Sequence, residues 1–240
     1  MQKFLTYQEI QDKCEQLNDI YQIDEEKFYR VVETWADHNN KSIEMKLLAS
    51  FEELLQVVSD EVEAMEEAVE IEPTCRLGCA FCCYFPIIIN EMEAKLMKKA
   101  IENFPERRRD SIQSHLTDYY EKYREQLEEI TKLDFDSDQD FKSKYKKHLV
   151  PCPMLNTENN QCMAYEIRPI PCRTYVNYTN PNVCEQNLMP KETISFEFLY
   201  NEYMGALNEF VQFLYEQGDT SFITYPDDLY VHDYLANWLK

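Results

Sequence analysis

Four cysteines lie within nine residues of this 240-residue chain, at positions 75, 79, 82 and 83. Thiolates bind zinc, iron and iron–sulfur clusters, and gaps of three and two residues allow several thiolates of one loop to reach a single centre. Gly78 lies between the first two cysteines, where we expect a tight turn. Cys82 and Cys83 are adjacent, and in an extended segment their side chains would point to opposite sides. The loop therefore predicts part of a thiolate metal site whose other ligands come from elsewhere in the chain.

A second group of four cysteines follows in a segment that contains six prolines between residues 151 and 190. Its spacing is looser, so an interpretation as reduced core thiols carries more weight for this group than for the first. Of the nine cysteines only Cys14 lies outside both groups, and a lone thiol in a helix is most often a small buried hydrophobic residue. Eight grouped thiols suffice for two four-cysteine sites, or for one cluster with further redox thiols beside it. The predicted metal ligands are Cys75, Cys79, Cys82, Cys83, Cys152, Cys162, Cys172 and Cys184.

The charge of the chain restricts its partners. There are 45 acidic and 24 basic residues, which gives a formal net charge of −21. Such a charge argues against binding to nucleic-acid phosphates and against an anionic lipid surface. Two local basic runs, at residues 107–109 and 142–147, are interpreted as solvated helix faces because acidic residues surround them. We therefore expect no nucleic-acid partner and no membrane partner.

Other sequence features favour a reducing compartment. No apolar segment follows Lys3, which predicts no secretion signal, and the longest apolar run, residues 81–89, contains a proline and is too short to span a bilayer. We expect a soluble cytoplasmic protein with reduced thiols, where metal binding is favoured over disulfides. Three isolated glycines exclude a Gly-rich phosphate loop, and the four histidines lack the spacing of a zincin or a di-iron site.

The hydrophobic pattern predicts a mainly α fold: a helical bundle with an irregular Cys/Pro-rich metal-binding core. Capping signals at Thr6, Asp24, Ser42 and Asn90 predict four helix starts. Further helices are expected over about 105–133, 141–149, the region after 191 and the end of the chain, and the third helix is expected to end at Pro73. We predict three regions: helices over 1–72, a cysteine-cluster domain over 73–190 with a helical insertion at about 90–150, and C-terminal helices over 191–240.

The two cysteine groups together resemble the YkgJ-type cysteine-cluster family, a zinc- or iron-chelating domain. The first group has the pattern Cys-x3-Cys-x2-Cys-Cys, and the second contains Cys152-Pro153 and the run from Cys162 through Arg168-Pro169 to Cys172-Arg173. Met154 and Cys184 match the family less closely. Related clusters occur in flagellin lysine-N-methylases, whose resemblance implies an iron–sulfur cluster. The resemblance implies metal binding and does not define a reaction.

Sequence leaves the metal and the role open. Four thiolates suit both zinc and iron, although the loop spacing and the methylase resemblance favour an iron–sulfur cluster of the 4Fe-4S type. Arg168 and Arg173 bracket Cys172 and would donate hydrogen bonds to thiolate or sulfide, or else pair with a carboxylate. One hypothesis is a metal-cluster protein with a redox or protein-modifying role and a protein substrate or partner. The alternative is a zinc-stapled helical interaction module without catalysis.

Overall fold

The computed structural model describes residues 4–240, and over these residues it confirms a mainly helical chain with a few short strands. The helices are α1 (Tyr7–Ile20), α2 (Glu25–Ala36), α3 (Ile43–Ala68), α4 (Glu91–Glu102), α5 (Glu106–Lys122), α6 (Arg124–Ile130), α7 (Phe141–Lys147), α8 (Ile170–Thr174), α9 (Asn182–Gln186), α10 (Leu199–Glu216) and α11 (Leu235–Trp238). The strands are β1 (Ile88–Asn90), β2 (Leu155–Asn156), β3 (Gln161–Cys162), β4 (Tyr175–Asn177), β5 (Thr193–Ser195) and β6 (His232–Tyr234). In the described part of the chain, none of these helices is long and apolar enough to cross a membrane.

The chain divides into two compact units that do not follow the order of the sequence. Unit 1 comprises the chain up to Leu77 together with Arg168–Leu214. Unit 2 comprises Gly78–Ile167 together with Tyr215–Lys240. The three sequential regions expected above remain a prediction.

Unit 1 is built around helix α3. Its apolar residues recur every three or four positions, and Leu47, Leu54, Leu55 and Val58 are fully buried. Helix α2 packs against α3, and the short helix α8 does so as well. Strands β4 and β5 pair antiparallel, with Val176 opposite Ile194. The α10 stripe predicted from sequence is buried as expected, at Leu199, Tyr203, Leu207, Phe210 and Leu214.

Unit 2 packs α5 to α7 around an aromatic core. The buried members of that core include three tyrosines. Strand β1 pairs antiparallel with β6, so that Ile88 lies opposite Tyr234 and the C-terminal segment is held against the residues that follow the cysteine loop. The core residues are Tyr119, Leu127, Ile130, Tyr145, Val150, Tyr234 and Ala236.

Most helix starts agree with the sequence, and several ends differ. Thr6 and Asn90 form complete capping boxes, and Ser42 accepts a hydrogen bond from Met45 N. Asp24 precedes α2 without a side-chain cap bond. Helix α3 ends at Ala68 rather than at Pro73, because positive φ at Glu70 turns the chain earlier. The predicted helix over 105–133 is two helices, since the backbone leaves helical geometry at Tyr123.

The Pro-rich segment contains more helix than expected. The Cys/Pro-rich core was expected to be irregular, but Ile170–Thr174 form one helical turn with Pro171 near its start. Proline is tolerated in the first turn because its missing N–H would have no partner there. Helix α9 begins in the same way after Pro181. Proline spacing alone therefore overstated the irregularity of this segment.

A buried carboxylate in unit 1 gives the first testable prediction. Glu61 is fully buried on α3, accepts a hydrogen bond of 2.8 Å from the Tyr21 hydroxyl and pairs with Lys27 Nζ at 2.5 Å. Glu61→Gln is expected to lower the free energy of unfolding by about 1–3 kcal/mol, because Lys27 loses its counter-ion but is exposed enough to turn to water. The midpoint of urea unfolding, followed by circular dichroism, measures the loss.

The matched control is Glu63→Gln, an exposed position on the same helix. The control is expected to change the free energy of unfolding by less than about 0.5 kcal/mol. Equal midpoints for the two variants would show that the buried pair contributes nothing beyond a surface charge.

Candidate metal centre

The two units contain different cysteines. Unit 1 contains Cys14 and three of the predicted ligands, Cys75, Cys172 and Cys184. Unit 2 contains the other five, which are Cys79, Cys82, Cys83, Cys152 and Cys162. Among the predicted ligands Cys75 is exposed while the rest are partly buried.

The cysteine loop of unit 2 is a turn followed by a short 3₁₀ helix. Gly78 has a φ of +91°, which confirms the expected tight turn. Residues Phe81–Tyr84 form the 3₁₀ helix, in which Cys83 N donates to Ala80 O at 3.0 Å. Cys82 and Cys83 therefore lie in a 3₁₀ helix and not in an extended segment, and the expectation that their side chains point to different sides stays a prediction. A 3₁₀ helix rises less per residue than a strand, so these four residues span a shorter distance than an extended segment would.

Backbone hydrogen bonds join this loop to the second cysteine segment within unit 2. Cys152 N donates to Cys83 O at 2.6 Å. Strands β2 and β3 then place Leu155 opposite Cys162, and Met163 N donates to Met154 O at 2.8 Å. Thiols separated by about seventy residues of sequence are thus brought into one region.

Cys82, Cys152 and Cys162 lie on the segments that these bonds join, and we call their three thiols the thiol cluster. The pKa of the Cys152 thiol is raised to about 12, first by burial and then by the nearby thiols of Cys162 and Cys82. The backbone N–H groups of Met154 and Leu155 oppose this shift. Because water solvates this position poorly, a thiolate there requires a positive charge close to it.

Aromatic side chains surround Cys152. The Tyr119 hydroxyl donates to Pro151 O at 2.8 Å, and His115 Nε2 lies 2.9 Å from Pro153 O, so both carbonyls beside Cys152 are held in place. Burial raises the pKa of Tyr119 and Tyr145, and the nearby thiol of Cys152 adds to the effect. These phenols therefore remain neutral at physiological pH.

Two cations border the same region, and sequence reasoning missed both. Arg108, in the basic run interpreted as a solvated face, donates to Met163 O and pairs with Glu166. The hydrogen bond with Glu166 is the main cause that raises the pKa of Arg108, and the nearby Cys162 thiol adds to it. Lys146, from the second basic run, is buried with Nζ 3.8 Å from the Phe85 ring centroid. No spacing rule distinguishes either residue from its basic neighbours.

The predicted ligands of unit 1 lie on three separate segments. Cys75 follows Thr74, whose backbone N–H donates to Asn177 O at 2.8 Å. In sequence, Asn177 lies between the two other predicted ligands of this unit. Cys172 lies in α8 and Cys184 in α9. The assignment of these three thiols as metal ligands stays a prediction.

The arginines predicted to stand beside Cys172 also belong to unit 1. The Arg173 guanidinium is buried, and it donates to Ser59 Oγ at 2.6 Å and to Arg168 O at 2.9 Å. These bonds secure α8 to α3 and to the residues that precede it. The predicted role of Arg168 and Arg173 toward a thiolate or sulfide stays a prediction.

The thiols of the cluster are donors of the type that thiophilic metals prefer. Within residues 4–240, no three His, Cys, Asp or Glu side chains form a group that could hold a metal ion. The thiols of the cluster would have to converge from the positions that the structure shows. Cys79 and Cys83 belong to the same unit as the cluster, and a closed structural zinc site takes four such ligands.

Comparison with known families identifies one match. The model named CxxCxxCC, with the description "Putative zinc- or iron-chelating domain", matches residues 74–193, which is half of the chain. The match includes all eight grouped cysteines and excludes Cys14. Its name implies two residues between the first two cysteines, where this chain has three. No curated protein and no solved structure matches the chain.

Proposed function

The chain belongs to the CxxCxxCC family of zinc- or iron-chelating domains, and from this premise we propose that unit 2 holds an iron–sulfur cluster through its cysteine thiolates. The observation that supports the proposal is that Cys152 N donates to Cys83 O while the β2–β3 hairpin places Cys162 opposite Leu155, so that the cysteine segments of unit 2 are joined. Cys79 and Cys83 are the candidates for the fourth thiolate. When bound, a 4Fe-4S cluster accepts and donates single electrons.

The residues around the thiol cluster support a charged inorganic centre. An all-thiolate site carries excess negative charge, and Arg108 brings a cation close to Cys162. Tyr119 and His115 hold the backbone on the two sides of Cys152. Such contacts beside a ligand orient it and favour stable ligation.

Cys75, Cys172 and Cys184 are proposed to form additional ligation in unit 1. Thiols in excess of one four-ligand site are the reason for proposing a redox or protein-modifying role, with a protein as substrate or partner. The proposal assumes reduced cysteines, as the cytoplasm maintains them. No binding to nucleic acid or membrane is proposed, since the net charge of −21 opposes both.

The metal content tests the proposal. Protein purified without oxygen is expected to be brown and to contain iron together with acid-labile sulfide. Colourless protein with stoichiometric zinc and no sulfide would contradict the cluster and support the alternative, a zinc-stapled interaction module. Protein without iron or zinc would contradict metal binding by this chain.

A further inference from the structure

Arg108 contacts the segment that carries Cys162 through several hydrogen bonds and an ion pair. Nε and Nη2 both donate to Met163 O, at 3.2 and 2.6 Å. Nη1 and Nη2 bind the two carboxylate oxygens of Glu166, at 2.5 and 2.8 Å. The guanidinium also lies 3.8 Å from the centroid of the Phe104 ring. Its plane is therefore fixed from three directions.

The peptide that Arg108 binds belongs to the thiol cluster region. Met163 directly follows Cys162, and its N–H donates to Met154 O on the segment of Cys152. Met163 is thus held from both sides, by the hairpin and by the guanidinium. Because Met163 directly follows Cys162, a fixed guanidinium at this place restrains the backbone that carries the Cys162 thiol.

We propose that Arg108 is a positioning residue of the metal centre, which holds the Cys162 segment and offsets the negative charge of the bound thiolates. The inference rests on the proposed function. It replaces the solvated-face interpretation of this arginine. Only arginine supplies the two-pronged contact with Glu166 and the contact with the carbonyl at the same time, because a lysine presents a single ammonium.

The neighbouring residues of the same run provide a matched control. Arg107 is exposed, carries the same charge and lies one position away on the same helix. The variants to compare are Arg108→Gln, Arg108→Lys and Arg107→Gln. The first variant removes the positive charge and the two-nitrogen contact with Glu166. The second keeps the charge but not that contact. The third changes the net charge of the protein by the same amount as the first.

The first measurement is the rate of metal release to a strong chelator from anaerobically purified protein. Arg108→Gln is expected to release metal about 10- to 100-fold faster than wild type, as changes beside metal ligands commonly do. Arg108→Lys is expected to fall between the two, and Arg107→Gln is expected to match wild type. Equal release from Arg108→Gln and Arg107→Gln would overturn the inference.

The second measurement separates charge from structure. If the protein holds iron, the reduction potential of Arg108→Gln is expected to be more negative than that of wild type, while Arg108→Lys stays near wild type. An unchanged potential in Arg108→Gln would overturn the charge role. If the wild-type protein contains no metal, the proposed function fails, and this inference fails with it. If the wild type contains metal but the Arg108 variants release it at the wild-type rate and keep the wild-type potential, only this inference is rejected.

Discussion

Cys152→Ser is expected to lose nearly all of the bound metal, whereas Cys14→Ser is expected to retain the wild-type content. Cys152 is the member of the thiol cluster whose ionisation both other members influence. Serine keeps the size of the side chain but offers a hard oxygen that does not ionise at neutral pH, and such a ligand binds thiophilic metals poorly. The backbone bond from residue 152 to Cys83 O is retained in the variant.

The expected loss is large because a ligand itself is removed. Changes beside metal ligands already cost about 10- to 100-fold in affinity, so the loss of a thiolate should cost more. Cys14 is a suitable control because it lies outside the family match and belongs to the other unit. It is partly buried on α1, so its substitution tests for a general effect of removing a thiol.

Metal and sulfide per chain, measured on anaerobically purified protein, decide the comparison. Circular dichroism of both variants shows whether the helices remain. Equal metal content in the two variants would refute the assignment of Cys152. Loss of metal in both would indicate that metal retention depends on the overall fold and not on the thiol cluster.

Removal of the metal is expected to unfold the cysteine segments of unit 2 while α3 of unit 1 keeps its structure. A structural zinc site contributes roughly 10–16 kcal/mol in small domains, compared with a total stability of about 5–15 kcal/mol for a typical domain. The loop over residues 78–85 and the hairpin over 152–163 have short elements, joined by few backbone bonds. Helix α3, in contrast, buries a continuous apolar stripe that needs no metal.

Hydrogen exchange with and without a chelator measures this difference. The peptides over residues 78–85 and 152–163 are expected to lose protection, and those over 43–68 are expected to keep it. Cys152→Ser, which holds no metal, should already exchange quickly in these segments and should not respond to the chelator. Equal protection in the wild-type protein before and after chelation would show that the apolar core alone orders the cysteine segments.

Local signals in the sequence determined much of the helical frame. Thr6 and Asn90 cap their helices with the glutamate three residues later, an interaction confined to one turn of chain. The stripe on α10 and the turn at Gly78 also depend on residues close in sequence. Such features could be predicted because their energetics involve neighbours along the chain.

Features that depend on distant residues could not be predicted in the same way. The pairing of β1 with β6 joins segments about 140 residues apart, and each strand has only three residues, too few for a visible alternation. The helical turn at Ile170–Thr174 forms against α3, although its prolines suggested extended chain. Contacts with segments distant in sequence therefore determine whether these elements form.

The sequence by itself determined that this protein is mainly helical and that it carries eight grouped cysteines of a metal-chelating family. Only the tertiary structure decided that Cys82, Cys152 and Cys162 belong to unit 2 and that Arg108 binds the residue after Cys162, while Arg168 and Arg173 belong to unit 1. The physical reason is that residue type and spacing determine which donors a chain offers. Which charges and thiols meet depends on hydrogen bonds between segments far apart in sequence, such as that from Cys152 N to Cys83 O.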